Sequence, residues 1–222
     1  MVNKSPKKIK RMFNEIAPRY DFWNNIISFA SHNIIKKAAI KSLAIKPNSK
    51  VLDLCSGSGD LSRIAKKIEP TIESFGLDFS EKMIAIARKK APGTIFSIGS
   101  AFSLDYSDSC FDYILMGFGL RNIEDRKKAL EEVFRVLKKG GYFLHLDFGC
   151  KNFLSRIYDS LVLFLVNLFC SNKDAYKYLI KSKQEFLEPD KLIEEFIQAG
   201  FSVKAVSFCC FKLISYQILV KN

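Results

Sequence analysis

The chain has 222 residues, 48% apolar and 26% charged, with a net charge of +12. That is the balance of one globular α/β-sized domain with a sizeable core. The strongly apolar uncharged run Ser160–Asn172 falls well short of the roughly 20 residues a membrane-spanning helix needs, so an integral membrane protein is not expected. The basic first eleven residues are followed by no apolar signal segment. Six cysteines without a Cys-x-x-Cys pair and only two histidines speak against zinc, and fit reduced thiols in a cytoplasmic protein. The excess of positive charge suits nucleic acid, an anionic membrane or a basic solvated surface.

In chain order, residues 1–46 have a helical pattern interrupted at Pro18 and around Ser28–Ser31. "SKVLDLCSGSGD" then reads as a strand through Val51, Leu52 and Leu54, a tight Ser/Gly turn, and a helix over "LSRIAKKI". "ESFGLDFS" predicts a second strand ending at Asp78 before the helix "EKMIAIARKK". "TIFSIGSA" predicts a third strand and "FDYILMG" a fourth. The helix "RKKALEEVFRVLKK" is expected to stop at Gly140–Gly141 and a fifth strand to follow over "GYFLHLDFG". Strands alternating with helices imply right-handed crossovers and a mostly parallel sheet covered on both faces. After Gly149 the alternation breaks. Residues 151–185 read as helical with an aromatic and aliphatic face, a helix lies near 189–199, and two antiparallel strands close the chain.

Ligands of such sheets sit beyond the carboxyl ends of the strands, which directs attention to the turns. Gly57 and Gly59 let the backbone approach a ligand beside a helix N-terminus, and Asp78 is placed to accept from a ribose diol. A dinucleotide site would want a third glycine. Here Asp53 precedes the turn, and a carboxylate repels pyrophosphate but attracts a sulfonium or amino group. The turn therefore favours S-adenosylmethionine, with "GSA" (Gly99–Ala101) placed to read an adenine amine.

"VLDLCSGSGDL" resembles the S-adenosylmethionine motif of class I methyltransferases. "MFNEIAPRYDFWNNIISFASH", "FGLRNIED" and "YKYLIKS" together resemble the C-methyltransferases of ubiquinone and menaquinone biosynthesis, over nearly the whole chain from about Lys10. The resemblance implies a Rossmann-like, mostly parallel seven-stranded sheet in one domain: an N-terminal helical lid (1–46), a cofactor-binding core (47–149), a helical insertion facing substrate or membrane (150–188), and the last helix with the closing strands (189–222). It implies cofactor contacts at Ser58, Asp78, Ser100, Ala101 and Gly117, which join Asp53, Gly57 and Gly59 from the reading of the turn itself. Ser58 stands where the family often has Thr, Ser100 where Asp or Asn is usual, and Gly117 where Ser is common. Lys181 and Leu187 depart from the pattern nearer the substrate.

The implied reaction moves a methyl group to a ring carbon of a polyprenyl quinol, either a naphthoquinol or a benzoquinol, and requires no metal. Arg121 is the candidate for stabilising a phenolate or orienting a water, and Asn122 for holding the quinol oxygen or the cofactor. A surface ion pair and a helix N-cap are their structural alternatives. Asp147, on one strand face with His145, is a further carboxylate candidate beside a buried polar-pair reading. Tyr20 and Asp21 belong to the lid, and His32 matches the family without an assigned role. Phe153–Phe169 lines an apolar path for the tail, rests on a bilayer, or is buried core. Lys4, Lys7, Lys8, Lys10 and Arg11 suit anionic headgroups. The expected location is the cytoplasm, peripheral on the inner membrane face, with a homodimer open. An RNA methyltransferase would carry an Asn-Pro-Pro-Tyr motif or an appended RNA-binding domain, and the sequence offers neither; a non-catalytic membrane-associated binding protein is the remaining alternative.

Overall fold

The computed structural model describes residues 2–170 and 172–222. Met1 of the N-terminal segment and Ser171 of the uncharged run lie outside the described residues. Three helices open the chain: α1 (Pro6–Ile16), α2 (Tyr20–Ile27) and α3 (His32–Lys41), with a single 3-10 turn at Ala17–Arg19 between the first two. Pro18 accounts for that break, because it supplies no backbone N–H to continue the ladder. The core follows as β1 (Lys50–Leu54), α4 (Asp60–Ile68), β2 (Glu73–Asp78), α5 (Glu81–Lys90), β3 (Thr94–Ile98), β4 (Phe111–Gly117), α6 (Arg126–Val136) and β5 (Leu137–Phe148). Then come α7 (Phe153–Phe169), α8 (Lys173–Glu185), α9 (Pro189–Gln198), β6 (Phe201–Cys209) and β7 (Ile214–Lys221).

The strands form one seven-stranded sheet in the order β3-β2-β1-β4-β5-β7-β6. β1 to β5 are mutually parallel, and β7 runs antiparallel to both β5 and β6. Strand order reverses between β1 and β4, so the crevice at their carboxyl ends is where this architecture binds ligands. Buried side chains on one sheet face, including Phe111, Ile114, Phe143 and Phe196, make the largest core cluster, and Val51, Leu115 and Leu144 pack on the other face with α3 and α4.

Two boundaries differ from the sequence reading. α6 ends at Val136, not at Gly140–Gly141: Leu137 is fully buried and pairs with Phe111, and the register then jumps to Tyr113 opposite Tyr142. Pairing with β4 overrides the helical propensity of "VLKK". The segment 151–185 is two helices rather than one run, with α7 ending at Phe169 and α8 starting at Lys173. Asn152 caps α7 by accepting from the Ser155 N–H at 2.9 Å. α7 is apolar on two faces. Val162 and Val166 are buried against α1, α2 and α8, whereas Phe153, Ile157, Leu161, Phe164 and Leu168 form an outward stripe. No described helix is long and apolar enough to cross a membrane.

Candidate active site

Two cavities meet at the carboxyl ends of β1 and β4, sharing Tyr20, Cys55, Gly57, Gly117 and Phe118 in their walls. The first, ≈ 270 Å³, runs past Asp78, Phe79, Ser100 and Ala101 and is roofed by Ile9 and Phe13 of α1. The second, ≈ 370 Å³, lies between Asp53, the α2–α3 segment, Arg121 and the inner faces of α7 and α8.

The glycine turn is shaped by backbone geometry. Cys55, Gly57 and Gly59 all have positive φ, at 58°, 52° and 80°. A Cβ at Gly57 would meet nothing within 4 Å, so this backbone faces open space, while one at Gly59 would lie 3.0 Å from Ala87 Cβ. Gly59 is thus fixed by the packing of α4 on α5, and Gly57 leaves room for a ligand. Asp78 anchors the turn: its carboxylate accepts from Gly57 N at 2.9 Å and Ser80 N at 2.9 Å. Burial raises its pKa, and the N–H groups of Ser80, Gly57 and Phe79 oppose that rise.

Asp53 is 1% exposed. One carboxylate oxygen accepts from the Ser62 N–H and hydroxyl at 2.9 and 2.7 Å, and the other is buried without a partner. Burial, only partly offset by those Ser62 bonds, pushes its carboxyl up to about 7. An unpartnered acid on the cavity wall is a place for a cationic group, as the sequence anticipated, and with the open Gly57 backbone it makes the residues present fit S-adenosylmethionine.

Ser58 lines the second cavity. Its hydroxyl donates to Asp21 at 2.7 Å and accepts from Lys90 at 3.1 Å, so it ties the turn to α2. Ser100 and Ala101 line the first cavity, where Ser100 Oγ accepts from Phe102 N at 3.2 Å. Gly117 lets Leu61 approach: a Cβ there would lie 3.0 Å from Leu61 Cδ1.

The polar turn after β4 folds back on itself. Phe118, not a glycine, takes the left-handed φ of 59°. Its carbonyl accepts from Arg121 Nη1 at 2.8 Å and Asn122 Nδ2 at 3.3 Å. The same Arg121 nitrogen donates to Asp147 Oδ1 at 2.8 Å. The guanidinium carbon lies 5.5 Å from the Phe118 ring centroid and 5.0 Å from that of Phe148. Arg121 therefore makes a buried ion pair rather than a surface one, and it lines the second cavity. Asn122 lines the first cavity, with its Oδ1 buried and unpartnered. The helix cap considered for it belongs to Asp125, which accepts from Lys128 N at 3.0 Å.

Asp147 sits behind Arg121, fully buried, and belongs to neither cavity wall among the described residues. His145 does not pair with it, since its Nδ1 contacts Gln217 Oε1 at 2.8 Å. Tyr20 stands where the two cavities join, and burial raises its hydroxyl pKa. His32 lines the second cavity, its Nδ1 2.8 Å from Ser28 Oγ.

Two groups escaped the sequence reading. Lys36 and Lys90 each reach Asp60 at 2.7 Å, and Lys90 also reaches Asp21 at 2.6 Å, which locks α2 and α3 over the turn. Lys183 is buried beside Asp159 in the second cavity.

The sequence profile of the ubiE/COQ5 methyltransferase family matches residues 1–216. The chain belongs to the ubiE/COQ5 methyltransferase family. Demethylmenaquinone methyltransferase of Thermotoga maritima is 37% identical over 210 residues, covering 91% of this chain and 92% of the relative. That of Thermus thermophilus is 38% identical, covering 87% and 92%. Among solved structures, a SAM-dependent methyltransferase from Thermotoga maritima superposes with a TM-score of 0.71 at 24% identity, over 96% of this chain and 99% of that one. The [4+2]-cyclase SpnF superposes with 0.71 at 13% identity, over 96% of each chain. At such identities these two establish the fold alone. As a member of the ubiE/COQ5 family the chain is a methyltransferase with S-adenosylmethionine as its methyl donor.

Proposed function

We propose that this chain methylates a ring carbon of a polyprenylated quinol, converting demethylmenaquinol to menaquinol in respiratory quinone biosynthesis. The observation that carries this reading is the junction of the cavities at Tyr20, Gly117 and Phe118, with an unpartnered carboxylate and a buried guanidinium both facing the second. The relatives named demethylmenaquinone methyltransferase favour the naphthoquinol over the benzoquinol. Incubation with methyl-labelled S-adenosylmethionine and reduced demethylmenaquinone should label a lipid-extractable product. Label appearing only in RNA would overturn the reading, and calorimetry without S-adenosylmethionine binding would point to a non-catalytic protein.

In this reading S-adenosylmethionine supplies an already activated methyl group, and the protein aligns, ionises and excludes water. Asp78 holds the ribose, Ser100 and Ala101 flank the adenine, Asn122 holds the cofactor from the wall of the first cavity, and Arg121 stabilises negative charge on a quinol oxygen. Asp78→Ala should weaken cofactor binding by about 1.5–3 kcal/mol, the range for a hydrogen bond to a charged group; titration calorimetry giving an unchanged Kd would remove the ribose assignment.

Asp53 gives the cofactor affinity a pH dependence. Burial pushes its carboxyl up to about 7 in the free protein, and a cationic ligand beside it favours the ionised form. Binding below that pH therefore releases a proton, and affinity should rise as pH climbs toward about 7 and level off above it. Calorimetry in buffers of different ionisation enthalpy measures the proton directly. Affinity that is flat with pH would show that Asp53 does not face the cation.

The tail and the bilayer belong to the same reading. The outward stripe of α7 is apolar, with Phe153 74% and Phe164 62% exposed, and α8, the helix packed on α7, exposes Lys173, Lys177 and Lys181. Apolar and basic groups together suit an anionic bilayer. Of the N-terminal cations, Lys4 is half-buried on the first cavity wall and Lys10 is paired with Glu81, while Lys7, Lys8 and Arg11 are exposed, Arg11 with Glu15 as its surface partner. Phe164→Glu with Leu168→Glu should cost about 1.5–3 kcal/mol per side chain in partitioning to anionic vesicles. Unchanged cosedimentation would place membrane contact on another face.

A further inference from the structure

The second cavity holds a cation to which no role has been assigned. Lys183 on α8 is buried, its ammonium paired with Asp159 and donating to Ser155 Oγ at 3.0 Å, both on α7. It lies 4.8 Å from the Tyr158 ring centroid and 5.0 Å from that of Phe148. Phe148 also has the Arg121 guanidinium carbon 5.0 Å from its centroid. Lys183, Arg121, Tyr158 and Phe148 all line the same cavity, with Val162 and Ile180 making its apolar wall.

An ammonium has three N–H donors. Asp159 and Ser155 take two, so one is left for a ligand. The wall around it is largely apolar, and a hydrogen bond to a fixed cation is strong in such surroundings. A 1,4-quinol carries two hydroxyl oxygens, at opposite ends of its ring, and Arg121 can attend only one of them.

We propose that Lys183 is the second oxygen-binding group of the acceptor pocket, holding the quinol hydroxyl that Arg121 does not reach and so fixing the ring against the methyl donor. This rests on the quinol reading. The hydroxyl beside the attacked carbon, at the Arg121 end, gives its proton to water and keeps its electron pair on oxygen. The ring carbon forms its new bond to the methyl group as the methyl–sulfur bond breaks, and the hydrogen that carbon carried leaves as a proton.

The charged and titratable groups around Lys183 are Asp159 and Tyr158 from α7, Arg121 from the turn after β4, with Asp147 of β5 behind it, and Tyr176 and Tyr178 on α8 itself. Burial lowers the pKa of the ammonium, and Asp159 opposes that shift.

The test is the steady-state kinetics of quinol methylation by the wild type, Lys183→Arg, Lys183→Met and the double variant K183M/D159N. The double variant leaves no orphaned carboxylate, so it remains informative if K183M alone fails to fold. K183M/D159N should raise the quinol KM about tenfold, the fold-change for one lost hydrogen bond of about 1.4 kcal/mol, and leave the acid limb of the pH profile where the wild type has it, because the ionising hydroxyl lies at the Arg121 end. K183R should restore most of the wild-type KM, and S-adenosylhomocysteine affinity should be the same in all four. A wild-type quinol KM in K183M/D159N would reduce Lys183 to a tie between α7 and α8 and overturn the proposal. A wild type that binds S-adenosylhomocysteine but methylates no quinol would overturn the underlying reading, and the proposal with it.

Discussion

Arg121→Ala is expected to lower turnover by about 100- to 1000-fold, the loss seen when one preorganised donor to a developing anion is removed, while leaving cofactor affinity nearly unchanged. The guanidinium is held in place before any ligand arrives: Asp147 fixes one nitrogen, the Phe118 carbonyl shares it, and the Phe118 and Phe148 rings confine its plane. A donor already oriented spends nothing on reorganisation during the reaction. The substitution also exposes a second effect. Asp147 is fully buried and one of its oxygens already lacks a partner, so removing the cation leaves an uncompensated charge in the core, at a cost of about 3–5 kcal/mol. The two effects separate in the double variant Arg121→Met with Asp147→Asn, which should recover most of the thermal stability and none of the turnover. Steady-state methyl transfer set beside a denaturation curve measures both. Wild-type turnover in R121A would make the turn after β4 a structural clasp.

The residues most readable in the sequence were those whose role is local. Asp78 at a strand end and the glycines at 57 and 59 declare themselves because a strand, a turn and a helix N-terminus lie within a few residues of one another. Even there, distant side chains add what the turn does not show: Ser58 is on the cavity wall, and its hydroxyl also binds Asp21 from 37 residues earlier. Arg121 and Asp147 were both singled out, yet nothing along the chain pairs them, because their 26-residue separation is closed only by the adjacency of β4 and β5. His145 illustrates the reverse. Strand alternation correctly put it on the face of Asp147, but its partner, Gln217, arrives from β7 72 residues later.

Lysines were the least legible. Lys36, Lys90 and Lys183 each sit in a helical run of basic residues, where the ordinary expectation is a long side chain reaching solvent. All three instead turn inward to a carboxylate contributed by another helix. Helix boundaries erred for the same reason: "VLKK" carries no local signal against continuing the helix, and the decision belongs to Phe111 across the sheet.

The inward lysines make Asp60 the electrostatic hub of the lid, and Asp60→Ala is expected to cost about 3–5 kcal/mol, the scale for breaking a buried ion pair from one side. Asp60 begins α4 directly after the glycine turn. Lys36 of α3 and Lys90 of α5 both reach it at 2.7 Å, and His32 Nε2 lies 3.9 Å away. Without the carboxylate, Lys36 keeps no ion-pair partner among the described residues and Lys90 keeps only Asp21. Backbone amide exchange should therefore quicken in α2 and α3 before it does in the sheet. The pH dependence has a definite sign. Burial alone would raise the Asp60 pKa, but the ammonium groups of Lys36 and Lys90 outweigh it and hold the carboxyl well below the usual carboxylate range. A folded-state pKa below the unfolded value contributes stability that is complete above the unfolded value and is lost as pH falls toward the folded one. Wild-type stability should thus decline more steeply on acidification through the carboxylate range than that of D60A, and the two denaturation curves should converge as pH drops. Equal stability at neutral pH, with parallel decline in acid, would mean that Lys36 and Lys90 find water when Asp60 is gone, and that the lid is held by the apolar packing of α1 and α2 against α7 and α8 alone.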